Sequence, residues 1–306
     1  MPCGLWNNGA LFQGPIITMT SPTWLLLGYC VAIAGFSLAG GLLPSLVRMT
    51  HTRTQLVMSL VSGLMLGVAF YHLLPHSIAM QHVSGAADIS VWWLMLGLIA
   101  MLLLLRLFHF HQHDFSHEED DHHEHPAHHD HHQPHVVQSG PVAAHRLSGI
   151  GIGLGLGLHT LIDGVALGAV MLGGNAAGGW LGIGVFLAIL LHKPLDSMSI
   201  ATVLESGGWS AVARRRVNLL FALMCPIGAL LFYFGIGALP DASHVVAASL
   251  AFSAGAFICI ALSDLLPEVH FHSHDRGKLS LAFLLGIALA YAMVAIEPAG
   301  IHAGLH

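Results

Sequence analysis

The sequence predicts an all-α polytopic membrane protein with eight transmembrane helices. Of its 306 residues, 55% are hydrophobic and 8% are charged, and the mean hydropathy is +0.73. These values exclude an ordinary soluble globular protein. Apolar windows of about 20 residues, the length that crosses a bilayer core, occur eight times along the chain. They cover residues 24–47, 56–79, 91–110, 147–170, 178–203, 216–238, 243–267 and 279–297.

The basic residues predict the orientation of these spans, because cytoplasmic loops collect Lys and Arg. Nine of the ten basic residues lie in alternate gaps between spans or at the span ends beside those gaps, and the other gaps and both ends contain none. We therefore expect a multi-pass protein of the plasma membrane, in bacteria the inner membrane, with both termini extracytoplasmic. The nine residues are Arg48, Arg53, Arg106, Arg146, Arg214, Arg215, Arg216, Arg276 and Lys278.

This assignment divides the chain into six segments. They are an extracytoplasmic N-terminal segment (1–23), spans one to three (24–110), a His-rich cytoplasmic loop (111–146), spans four and five (147–203), spans six to eight (204–297) and an extracytoplasmic C-terminal tail (298–306).

Residues 109–135, which overlap the first part of this loop, contain twelve histidines, seven acidic residues and almost nothing apolar. Such a composition cannot build a packed core. His-rich tracts are typical of metal-binding segments, and a solvated linker is the alternative for any single histidine. The candidate cytoplasmic ligands are His109, His111, His113, His117, His122, His123, His125, His128, His129, His131, His132 and His135.

Spans four and five carry the same five-residue motif, His159-Thr-Leu-Ile-Asp163 and His192-Lys-Pro-Leu-Asp196. Residues four apart share one face of a helix, so each span presents an imidazole and a carboxylate together. A charge at membrane depth costs about 3 kcal/mol or more, which favours a functional role. Two such helices facing each other would supply the two-His, two-carboxylate set that Zn²⁺ and related ions accept. The alternative is a structural set of buried hydrogen bonds or a salt bridge with Lys193.

Lys193 is the main difference between the two motifs. We expect its ammonium group to lie between the two carboxylates, where a second metal could bind, and so to limit the site to one ion. Compensation of the two aspartates in the metal-free protein is the alternative. The next residue, Pro194, frees the carbonyl of Leu190 and predicts a kink beside the site.

Other parts of the chain also repeat weakly. The segment His72-Leu-Leu-Pro75-His76 of span two resembles Asp264-Leu-Leu-Pro267-Glu268 of span seven. Under the predicted orientation the members of each pair run in opposite directions, which is typical of inverted-repeat secondary transporters. Polar residues near these span ends are candidates for an ion pathway, or are simply interfacial. They are His72, His76, Asp264, Glu268, His270, His272 and His274.

Span four also carries glycines four residues apart, at Gly149, Gly153 and Gly157. In a membrane helix such a small-residue face lets a neighbouring helix approach closely. We expect this face to bring spans four and five together.

Taken together, these features resemble the ZIP (Zrt- and Irt-like) metal transporters, prokaryotic type, with a His-Lys motif in span five. The resemblance covers the whole membrane portion, and it rests on the eight spans, the His-rich loop, the paired motifs and the two Leu-Leu-Pro segments. It implies a 3+2+3 arrangement of helices around spans four and five. It also implies alternating access that carries Zn²⁺ or a related divalent ion toward the cytoplasm.

The sequence departs from the motif His-Asn-x-Pro-Glu-Gly that many members carry in span four. Thr160 replaces the Asn, Ile162 the Pro and Asp163 the Glu. Lys193 replaces a second-site acid, and Cys225 stands where span six of some members carries Glu. These differences argue against a second metal site and leave the first intact. The resemblance also places His72 close to the primary metal.

We expect no catalyst cofactor and no enzymatic activity. The expected cargo is Zn²⁺, with Fe²⁺, Mn²⁺, Cd²⁺ and Ni²⁺ as options, since His/Asp sites accept several metals. The expected partners are this ion and the lipid bilayer, with no nucleic acid, and a homodimer is an open option. Two other functions use similar residues. One is a cation-diffusion-facilitator exporter, and the other is an intramembrane zinc hydrolase, for which no evident catalytic set accompanies the four ligands.

Overall fold

The computed structural model describes residues 21–46, 51–81, 83–108, 142–173, 182–239, 242–271 and 276–295. Within these ranges the secondary structure is helical, and no strand occurs. The α-helices are α1 (Ser21–Leu46), α2 (His51–Val68), α3 (Leu74–Met80), α4 (Ala86–Phe108), α5 (Val142–Gly173), α6 (Ile183–Ser206), α7 (Ala211–Gly237), α8 (Ser243–Phe271) and α9 (Arg276–Val294). The twelve loop histidines and the two terminal segments up to residue 20 and from residue 296 lie outside the described residues.

Among the described residues, eight helical runs are long and apolar enough to cross a membrane. Helices α1 and α4 to α9 supply one run each. The eighth is the continuous stretch Thr52–Met80, which contains α2 and α3. The prediction of an all-α protein with eight transmembrane helices is confirmed.

A π-helical segment, Ala69–Leu73, joins α2 to α3 and contains His72. Pro75 in the first turn of α3 explains the change in winding, because proline has no N–H and its ring clashes with the carbonyl four residues earlier. Single π-turns of this kind are frequent at functional positions. Here the segment buries His72, whose Nε2 lies 2.9 Å from the carbonyl oxygen of Ala290 in α9.

The helices pack mainly in four pairs, α1 with α6, α5 with α7, α2 with α9 and α4 with α8. Glycines bring the backbones together in each pair. A Cβ atom added to Gly63 of α2 would lie 2.0 Å from the carbonyl oxygen of Phe283 in α9. One added to Gly255 of α8 would lie 1.9 Å from the carbonyl oxygen of Leu94 in α4.

The glycine contacts repeat between the first and second halves of the chain. The α2–α9 pair also contains Gly286, which faces the carbonyl of Leu60, and the α4–α8 pair contains Gly97, which faces the carbonyl of Phe252. Exchanging α2 with α8 and α4 with α9 converts one set of contacts into the other. The remaining two pairs match similarly, since Gly40 of α1 meets Pro194 of α6 and Gly228 of α7 meets Leu161 of α5.

The glycine face predicted on α5 does not pack closely against a neighbouring helix at the positions that we expected. A Cβ atom at Gly153 would meet nothing within 4 Å, and one at Gly157 would meet only the Met224 Cε atom at 3.7 Å. The expected close approach at these two glycines is therefore wrong. The tight contacts of α5 lie two and three turns later, where Gly164 and Gly168 face the backbone of α7.

Replacement of Gly63 by Ala tests the close packing of α2 on α9. The added methyl group must push the two backbones apart, and we expect a loss of stability of about 1–3 kcal/mol, typical of overpacking. The matched control is Gly35→Ala in α1, where an added Cβ meets nothing within 4 Å. The control should be neutral or slightly stabilising, because alanine is the better helix former. Thermal melting of both variants in one detergent makes the comparison, and equal melting temperatures would contradict the packing argument.

Candidate metal centre

The paired motifs of α5 and α6 meet inside the protein. One ligand atom from each of His159, Asp163, His192 and Asp196 lies within 4.8 Å of every other. His159 Nε2 is 3.5 Å from Asp163 Oδ2 and 3.6 Å from Asp196 Oδ2. His192 Nε2 is 3.2 Å and 3.6 Å from the same two oxygens. The helical spacing of four residues thus brings all four groups to one point.

These separations suit an ion with tetrahedral coordination. Zinc is held about 2.0–2.2 Å from nitrogen and oxygen ligands, so neighbouring ligand atoms of a regular tetrahedron lie roughly 3.3–3.6 Å apart. The four imidazole–carboxylate distances range from 3.2 to 3.6 Å. The imidazole–carboxylate separations therefore fit a Zn²⁺-sized divalent cation.

Burial makes the cluster electrostatically unusual. The Asp163 side chain has no exposed surface, and those of His159 and His192 are 2% and 5% exposed, whereas Asp196 is 18% exposed. Neither ring nitrogen of His159 nor Oδ1 of Asp163 has a hydrogen-bond partner within the described part of the chain. A bound cation would supply interactions to such groups, whose isolation in a low-dielectric site is costly.

The ring orientation of His192 is set by its own helix. Its Nδ1 lies 2.7 Å from the carbonyl oxygen of Ala188, one turn earlier. Because a carbonyl only accepts, Nδ1 carries the proton, and in a neutral ring Nε2 keeps its lone pair. That lone pair faces the carboxylates, as in a metal-binding histidine fixed by a backbone carbonyl.

The Lys193 ammonium group contacts three of the four candidate ligands. Its Nζ donates to Asp163 Oδ2 and, at 3.1 Å, to Asp196 Oδ2. It also lies 3.2 Å from both Thr160 Oγ1 and His192 Nε2. The ammonium group therefore contacts both carboxylates. A further contact, with the ring of Phe221, is not predicted by any sequence motif. The ring centroid lies 5.8 Å from Nζ.

Glycine contacts hold both motif helices beside the ligands. Gly40 of α1 lies against the backbone of Pro194, where an added Cβ would come within 2.3 Å. Gly164, directly after Asp163, would come within 2.2 Å of the carbonyl oxygen of Cys225 in α7. The ligands thus sit on stretches of helix whose backbones are fixed by α1 and α7.

The other candidate residues do not belong to this four-residue group. His72 and His76 are buried, and His76 Nδ1 donates to the backbone carbonyl of His72 at 2.6 Å. The ring of His72 packs against Gly184 in α6, where an added Cβ would come within 2.9 Å of it. The remaining pathway candidates are not covered, because the structure describes only the backbone of Asp264, Glu268 and His270, and His272 and His274 lie outside the described residues.

Comparison with protein families agrees with this geometry. The family described as ZIP zinc transporter matches residues 106–294, more than half of the chain. The chain belongs to the ZIP zinc transporter family. A comparison with curated proteins finds no match. Membership supports transport of a divalent metal as the general role, and members of this family are transporters rather than enzymes. Within a ZIP protein, the contact of Lys193 with Thr160 shows two of the motif departures meeting in one hydrogen bond.

Removal of the lysine tests whether it compensates the buried carboxylates. In metal-free protein, Lys193→Met leaves Asp163 without its closest cation, and breaking a fully buried pair costs about 3–5 kcal/mol. The control is Arg214→Gln, which breaks an exposed pair with Glu205 at 2.7 Å and should cost about 1 kcal/mol or less. Thermal melting in EDTA compares the variants. A Lys193→Met protein that melts with the wild type would show that the lysine does not stabilise the cluster.

Proposed function

We propose that this ZIP protein carries Zn²⁺ toward the cytoplasm through one mid-membrane site formed by His159, Asp163, His192 and Asp196. The observation that carries the proposal is the convergence of these four donors within 4.8 Å on two spanning helices. Two carboxylates and two neutral imidazoles form a set that a divalent ion of borderline softness accepts. Uptake toward the cytoplasm rests on the predicted orientation of the spans and on the family resemblance.

The exchange of helix pairs supports alternating access as the mechanism. The packing of α1 on α6 corresponds to that of α7 on α5, and the packing of α2 on α9 corresponds to that of α8 on α4. Such correspondence is expected of a 3+2+3 inverted repeat with α5 and α6 at its centre. In that arrangement, rocking of one group of helices against the other opens the central site to each side in turn. His72 and His76 on one side, and the residues from Asp264 to His274 on the other, complete the proposed path.

Lys193 supports a stoichiometry of one ion. Its Nζ contacts both carboxylates, which is the position that a second metal sharing them would take. Each carboxylate oxygen has two lone pairs, so it can accept from the ammonium group and still bind one metal ion. The proposed site therefore keeps a resident protein cation beside a single transported one.

Replacement of Asp163 by Asn tests the transport site with little change in shape. Loss of one of the two carboxylates should lower the initial rate of ⁶⁵Zn²⁺ uptake into vesicles at least about tenfold, equivalent to about 1.4 kcal/mol. Asp88→Asn is the control, because Asp88 is exposed in the first turn of α4 and should transport normally. Unimpaired uptake by Asp163→Asn would overturn the assignment of the site.

The same vesicles distinguish the other two functions. An exporter of the cation-diffusion-facilitator type would move ⁶⁵Zn²⁺ only away from the face that corresponds to the cytoplasm. A hydrolase would show no flux under any metal gradient. We expect uptake in protein whose orientation has been established by protease protection.

Replacement of Lys193 by Glu tests the single-ion stoichiometry. The new carboxylate replaces the resident cation and should raise the number of bound Zn²⁺ ions from one to two, measured by elemental analysis of purified protein. Lys193→Met separates loss of the ammonium group from gain of a ligand, and it should still bind one ion. One ion in both variants would contradict the proposed role of Lys193 as a substitute for a second metal.

A further inference from the structure

The open glycine face of α5 borders an apolar crevice. The crevice has a volume of about 230 Å³ and lies between α5, α6 and α7. Gly153 and Gly157 line one wall, and Ile200, Leu204 and Phe221 line the others. A dry cavity of about 150 Å³ already binds a benzene-sized molecule. The crevice is therefore large enough for part of a hydrocarbon chain.

Its rim faces the bilayer. Leu154 and Leu220 line the crevice and are 58% and 63% exposed. In a protein with eight membrane-spanning runs, exposed leucines of α5 and α7 face acyl chains. The occupant with direct access to this opening is consequently a lipid.

A tryptophan closes the end of the crevice near the α6–α7 turn. Gly208 has φ +68°, its N–H donates to the carbonyl of Glu205, and the N–H of Trp209 donates to that of Leu204. This is a Schellman motif, which requires a left-handed residue and packs the following side chain back on the helix. Trp209 lines the crevice, and its buried Nε1 has no hydrogen-bond partner within the described residues.

Basic residues stand one turn beyond the same end of the crevice. Arg216 lies four residues before Leu220, so the two share one face of α7. Arg216 is exposed, and the described part of the chain contains no ion pair to it. Arg214 is already paired with Glu205. Basic groups at the membrane end of an apolar pocket between helices suit the headgroup of an anionic lipid.

We propose that this crevice binds one anionic phospholipid. An acyl chain fills the space left by Gly153 and Gly157 and packs against Phe221. The indole N–H of Trp209 donates to an ester or phosphate oxygen, and Arg216 pairs with the phosphate. Phe221 also faces Lys193. The lipid chain therefore supports the central cluster on the side where the lysine lies.

Native mass spectrometry of the full chain tests the headgroup. Purified protein is incubated with phosphatidylglycerol or with phosphatidylcholine of identical chains. We expect retention of one phosphatidylglycerol, and weaker retention of phosphatidylcholine by about fivefold or more, the effect of about one basic contact. Arg216→Gln should remove this preference. Arg215→Gln is the matched control, since its face of α7 carries Leu219, which does not line the crevice, and it should behave as wild type. Equal retention of the two lipids, or equal effects of the two substitutions, would overturn the proposal.

The acyl chain is tested by filling its space. Gly153→Phe should reduce retention to background. Gly235→Phe, at a glycine of α7 that also has nothing within 4 Å but lies outside the crevice, should leave retention unchanged. A second measurement uses phosphatidylglycerol brominated on its chains, with the emission of Trp209 taken as the difference between wild type and Trp209→Phe. We expect quenching of that emission. Its absence, or normal retention in a folded Gly153→Phe protein, would mean that the crevice holds no lipid chain.

Discussion

An ammonium group shared by the buried carboxylate of Asp163 and the partly buried carboxylate of Asp196 is the interaction on which the centre of this protein depends. Asp163 is fully enclosed, and Lys193 contacts it together with Asp196. Without the lysine, two negative charges would stand beside two imidazoles in the interior of the protein, where unpaired charges are very costly. The lysine lies in the same α6 motif as Asp196, so folding of α6 places these two groups together, and packing of α5 on α6 brings Asp163 to the same ammonium group.

Rigid backbone contacts give this charge cluster its shape. Gly40 lets α1 pack closely against Pro194, and Gly164 lets α5 pack closely against α7. Both contacts lie next to residues of the cluster. Lipid offers no hydrophobic drive for helix association, so close packing at small residues must hold such helices together. The same device recurs at Gly63 and Gly255 in the outer pairs. A carrier needs ligand helices whose backbones are held in place, because the metal site must persist while the surrounding helices move.

Much of this arrangement could be predicted from sequence because hydropathy and helical spacing act locally. The eight spans follow from apolar length, and the meeting of the two His-x-x-x-Asp motifs follows from a period of four residues. The contacts of Thr160 and Phe221 with Lys193 could not be predicted in the same way, because they depend on how α5 and α7 rotate about their axes. The prediction of close packing at the glycine face of α5 was wrong for a related reason. Small residues permit a neighbouring helix to approach closely, but at Gly153 they leave a gap. The side chains of the opposing helices determine which of the two occurs.

The charge of the cluster suggests why one ion can be both bound and released in the proposed cycle. Two carboxylates, one ammonium group and neutral imidazoles carry a net charge of about −1 when empty, and a divalent ion brings this to about +1. Neither state is neutral, so neither is strongly favoured by burial alone. Without Lys193 the loaded site would be neutral and the empty one doubly negative, which would favour retention of the ion. On this argument the lysine does more than exclude a second metal, since it brings the electrostatic costs of the loaded and empty states closer together, as turnover requires.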